Sequence, residues 1–139
     1  MKTNFFLLPI FLLLFSCEEQ GDLTGDGLRD TTIAVNSSLK YHGIFIPTSG
    51  ISVSGQANIY QEGNEFRLQL DNFSISAGPD LKVYLSKSST PNDFINLGNL
   101  SSATVYPIPT QVDFSQYKYV LIHCQQYNHL FAVATLIQN

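Results

Sequence analysis

Apolar residues that return at every second position set the strongest limit on what this chain can become. Ile51, Val53, Ala57 and Ile59 fall on one face of an extended chain, with Gly55 in the gap, and Ser52, Ser54, Gln56 and Asn58 fall on the other. Glu62-Gly63-Asn64 breaks the pattern, and Phe66, Leu68 and Leu70 resume it with Arg67, Gln69 and Asp71 opposite. The two runs therefore read as a hairpin closed at Gly63-Asn64, each strand offering one apolar face to a single core.

The same logic continues along the chain. Gly78-Pro79-Asp80 is a turn, because proline presets its own φ and glycine accepts angles that other residues avoid. Leu81, Val83 and Leu85 follow at strand spacing, the polar segment 86–93 with Pro91 is a loop, and Ile95, Leu97 and Leu100 make a short apolar return. Tyr106-Pro107-Ile108-Pro109 can hold an edge or a corner but not the middle of a sheet, where each proline leaves a ladder acceptor unmatched. Tyr117 to Cys124 and Leu130 to Ile137 are the most apolar and β-branched runs, which places them centrally. With no sustained helical period after the first 16 residues, the expectation is an all-β antiparallel sandwich of roughly eight strands over residues 38–139.

The amino terminus carries an address. A short positive head precedes Phe5 to Phe15, an apolar run of secretory-signal length, too short to span a bilayer as a stable helix and interrupted by Pro9. Leu14-Phe15-Ser16-Cys17 resembles the bacterial lipobox, in which the cysteine receives diacylglycerol before cleavage, although Phe15 is bulkier than usual there. Residues 1–16 are thus expected to be a lipoprotein signal peptide and Cys17 the lipidated residue, placing the chain on the bacterial cell envelope, periplasmic or at the outer-membrane surface. Membrane attachment would then come from the lipid.

Residues 17–37 lack apolar periodicity and read as an acidic, flexible tether. Within them Asp22, Thr24, Asp26 and Asp30 alternate around glycines in a way that resembles the calcium loops of dockerins and thrombospondin type-three repeats. Ile33 stands where those loops supply a final bidentate acid, so the stretch reads first as a solvated spacer and second as a weak calcium loop.

Seven basic against eleven acidic residues, a formal charge of −4, offer no cationic cluster for a phosphate backbone, which argues against nucleic acid as a partner. No Ser-His-Asp arrangement, catalytic carboxylate pair or glycine-rich phosphate loop can be argued from the spacing, leaving a hydrolase unsupported.

Several segments together carry a family resemblance: Gly43-Ile44-Phe45, Ser54-Gly55-Gln56-Ala57, Leu70-Asp71-Asn72-Phe73 and Gly78 to Ser86, then Leu97-Gly98-Asn99-Leu100, Tyr106 to Pro109, Tyr117 to Cys124 and Phe131 to Ala134. In this order they resemble the DM-thirteen domain, an extracytoplasmic module that often accompanies DOMON domains and is described as an electron-transfer domain. Val105, where the family often has Gly, and His123, where an aromatic residue often precedes the cysteine, depart from its pattern. The resemblance implies a β-sandwich whose single cysteine, Cys124 here, serves redox chemistry.

Cys124 can be read two ways. In an extended strand it shares a face with Val120 and Ile122, the setting of a small core hydrophobe. A redox role needs a thiolate or a soft metal ligand. His42, His123 and His129 are the histidines that could join the thiol in copper or haem ligation. His123 points to the opposite face, which leaves Cys124 with His129 across a turn as the better geometry. Two functions stay open: an electron-transfer module with an unknown redox partner and cofactor, and a binding or adhesion module whose loops at 86–93 and 125–129 contact a protein partner.

Overall fold

The computed structural model describes residues 32–139. Cys17 and the acidic residues Asp22, Thr24, Asp26 and Asp30 lie outside the described residues. The described chain is all-β and antiparallel: β1 (Ser38–Pro47), β2 (Val53–Glu62), β3 (Glu65–Ile75), β4 (Leu81–Ser86), β5 (Phe94–Asn99), β6 (Val105–Ile108), β7 (Tyr119–Cys124), β8 (His129–Thr135) and β9 (Ile137–Gln138). The strands form one sheet in the order β5-β4-β7-β8-β1-β2-β3-β6, with β9 added to β1.

Two layers arise because β1 serves both. Its first part pairs with β2 from Ser38 to Ile44, and its last residues, Phe45 to Pro47, pair with β8. The expected layers are therefore one sheet bent through β1 into a nearly closed barrel. The edge strands β5 and β6 meet near the Tyr106 hydroxyl, which donates to the carbonyls of Asn99 and Ala103 at 3.2 Å each. Pro107 lies on β6, an edge strand, where its missing N–H faces no partner.

The β2–β3 hairpin closes at Gly63-Asn64, and Gly63 takes the positive φ, 59°, that the first central position of a type II′ turn needs. Further along, Gly55 stands opposite two residues, Asn72 and Phe73, in a bulge. That extra residue shifts the phase of β3, so Leu68 and Leu70 as well as Phe73 and Ile75 all reach the core although their spacing changes from even to odd. The two-residue period marks no strand before Ile51, yet β1 is ten residues long. Its pattern is masked because outward Ile44 and Ile46, 70% and 67% exposed, are as apolar as inward Phe45.

The interior is lined by Ala57, Ile59, Leu68, Leu70, Val83, Leu85, Val120 and Ile122 among others, drawn from both layers. Strands β7 and β8 sit side by side at the centre of the sheet order, as their apolar composition predicts.

Candidate functional site

Of the candidates named from the sequence, Cys124, His123 and His129 lie where the β7–β8 hairpin meets the turn before β4, and His42 lies apart from them on β1. Alternation along β7 sends Val120, Ile122 and Cys124 inward and Leu121 and His123 outward. Cys124 is a free thiol, 1% exposed, within the same apolar cluster as Leu81 and Phe131.

Register places Cys124 between two neighbours. On one side its partner is Leu81, the first residue of β4, and on the other it is His129, the first residue of β8. The Gly78-Pro79-Asp80 turn is tied to the hairpin by the Gln125 N–H, which donates to the Asp80 carbonyl at 3.0 Å. Gly78 lets the turn pack closely here, since a Cβ would lie 2.8 Å from Leu81 Cδ2 and 3.0 Å from Phe131 Cζ and would oblige those side chains to shift. Asp80 in turn pairs with Lys82 at 2.9 Å. A depression of about 240 Å³, lined by Gly78, Pro79, Asp80, Leu81, Asn99 and Leu100, opens at this end. Leu81, which lines it, is also the register partner of Cys124.

The hairpin loop itself is short. Asn128 takes φ 49°, a left-handed angle that asparagine tolerates, and its N–H donates to the Gln125 carbonyl at 3.3 Å. His129 is exposed and its ring meets Phe131 edge-on at 5.0 Å. The cross-strand partnership of Cys124 and His129 is thus present in the backbone, with the thiol sealed inside and the imidazole reaching solvent. A copper site of thiolate and imidazoles needs at least three converging ligands, and among the described residues no three His, Cys, Asp or Glu side chains converge. The donor set at this end does not fit such a centre.

Behind Cys124, on the outer face, lies a feature that alternation alone could not reveal. His123 is 4% exposed, and neither ring nitrogen has a hydrogen-bond partner. Burial pushes its pKa below the ordinary value; the Asn128 amide, short of a hydrogen bond, favours the charged form, and His129 opposes it. The His123 ring lies 5.4 Å from that of Tyr84, which stacks on Phe94 at 4.0 Å. Burial also raises the Tyr84 phenol above its usual range. The sequence signal for His123 was its position within an otherwise apolar strand, but a facing direction says nothing about burial.

With this geometry in view, the comparison with protein families is decisive. The family model for the electron transfer domain DM13 matches residues 46–136. The chain belongs to the DM13 family. No curated protein and no solved structure matches it. The match runs from the end of β1 through β8 and so takes in both segments that meet at the thiol, Gly78 to Leu81 and Tyr119 to Cys124.

Proposed function

We propose that this DM13 chain is a lipid-anchored electron-transfer module of the bacterial cell envelope in which Cys124 is the redox group. The observation that carries the reading is the meeting of the Gly78–Leu81 turn with Cys124 inside the span matched by the electron-transfer family. A thiol 1% exposed has no approach line for another protein's sulfur, which disfavours disulfide exchange with a partner in the closed fold. In this reading Cys17 carries the lipid, and residues 18–37 join it to β1.

Voltammetry of the full chain adsorbed on an electrode tests the role of the thiol. A reversible wave that is absent from Cys124→Val supports it, and a wave of equal size in that variant removes Cys124 from the mechanism. The second reading, a binding module with a purely structural cysteine, is favoured by one specific observation: Cys124 sits among aliphatic neighbours as a small hydrophobe would.

A further inference from the structure

Among the described residues the large apolar side chains left in water are Val35, Ile44, Ile46, Phe94, Tyr127 and Ile137. Singly such residues need no explanation, because much of any folded surface is apolar. Their placement here is uneven. Ile44 and Ile46 lie on β1, Ile137 lies on β9 beside it, and Val35 stands just ahead of the first residue of β1.

Phe45 packs in the core, so alternation along β1 turns Ile44 and Ile46 outward together with His42. Register sets Ile137 beside His42 and the half-buried Val133 beside Ile46 on that same outer face, and Thr135 falls between them in sequence. None of these outer positions holds an acid, a lysine or an arginine. Ile44, Ile46 and Ile137 are 70%, 67% and 61% exposed. The bend of the sheet explains such exposure in a strand with neighbours on both sides. β1 pairs with β2 up to Ile44 and with β8 from Phe45, and at Gly43 the Thr135 carbonyl comes so close that a Cβ would lie 2.3 Å from its oxygen. The isoleucines therefore stand on the outside of a corner.

We propose that this corner rests on the phospholipid surface that anchors the chain, with Ile44, Ile46 and Ile137 inserted at the boundary between headgroups and acyl chains. This presupposes that Cys17 carries the lipid, as in the reading above. Residues 18–37 then enter the fold at Ser38, the first residue of the corner strand itself, and even fully drawn out they hold it within about 70 Å of the bilayer. Contact with the surface becomes an intramolecular step, for which a small apolar patch suffices. A second copy of the chain is a poorer occupant: a specific interface takes about 800 Å² from each partner, and this patch offers on the order of a few hundred. With no cation at the outer positions, insertion and not attraction to acidic lipid supplies the contact.

The chain contains no tryptophan, so Ile44→Trp and Ile137→Trp each install a single reporter at the corner. Ser102→Trp places a control in the exposed connection between β5 and β6, the two ends of the strand order, whereas β1 lies in its middle. The full chain, processed by a bacterial host, is reconstituted into phosphatidylcholine vesicles with plain or brominated acyl chains, and flotation reads anchoring independently of fluorescence. The chain should float, and bromine should quench both corner reporters at least about twofold, as for an indole held about 5–10 Å into the headgroup boundary, while Ser102→Trp changes by less than about a tenth. Adding Ile46→Asp to Ile137→Trp should restore most of the emission without preventing flotation. Corner reporters that float yet are quenched no more than Ser102→Trp overturn the docking and leave anchoring intact. A chain that does not float overturns anchoring, and the docking with it. A blue shift that grows with protein density but resists bromine identifies a second copy as the occupant and overturns the inference as well.

Discussion

Replacing Cys124 with alanine, valine and serine separates what the sulfur does for the fold from what it does for electron transfer. The residue lies in an apolar cluster with Val120, Ile122, Leu81 and Phe131 and is 1% exposed. Cys124→Ala removes one heavy atom from a packed site and should cost about 1 kcal/mol. Cys124→Val keeps the apolar character but adds one heavy atom to a packed site and should cost about 1–3 kcal/mol. Cys124→Ser is nearly isosteric but places a hydroxyl where no partner is offered, for a cost of about 2–3 kcal/mol. In a domain of about a hundred residues the serine variant should therefore melt roughly 10–20 °C below the parent. Thermal unfolding followed by circular dichroism reads all three. A serine variant within about 0.5 kcal/mol of the parent would refute the reasoning, since its hydroxyl would then have found a partner in a site argued to hold none. Voltammetry on the valine variant completes the test, because it loses the sulfur while keeping the site apolar.

Acid should weaken the fold through His123. Its folded pKa is held below the ordinary 6.5, chiefly by burial, so as pH falls through 6.5 the unfolded chain takes up the proton first. Stability is full above 6.5 and declines until the lower folded value is passed; denaturant midpoints measured from pH 7.5 to 4.5 should fall, and less so in His123→Phe. Gly55→Ala should destabilise by about 3 kcal/mol or more, since φ is +102° and a Cβ would lie 2.6 to 2.8 Å from backbone atoms of Asp71, Asn72 and Phe73; urea unfolding checks this. Metabolic labelling with palmitate should mark the chain and fail in Cys17→Ala, and a labelled Cys17→Ala would end the anchoring proposal. Calcium at millimolar levels should give no titration heat if residues 22–30 are only a spacer, and saturable heat lost in Asp26→Ala would restore the calcium loop.

What could be read in advance follows from how each element meets solvent. The β2–β3 hairpin and the inward set of β7 were legible because polar and apolar residues alternate there, with Gly63 marking the turn. β1 was not, since Ile44 and Ile46 face outward and abolish the contrast on which a two-residue period depends. The bulge at Gly55 was equally hidden: a glycine in a strand signals close approach or a kink, but which partner supplies the extra residue is a property of the pairing.

The site divides along the same line. Local sequence places Cys124 inward and His123 outward, because direction follows from alternation along one strand. Whether an outward residue is wet depends on its neighbours across the sheet. Here Leu121 and Tyr84, opposite one another on β7 and β4, are outward and still fully buried, which accounts for the sealed imidazole beside them. Asn58 and His42 on the other layer follow the same rule. A strand pattern assigns faces, and the cost of desolvation is set only when strands distant in sequence are brought into register. The polar atoms left without partners on these outer faces therefore belong to the assembled sheet, and the cost of sealing them is set there and not in any one strand.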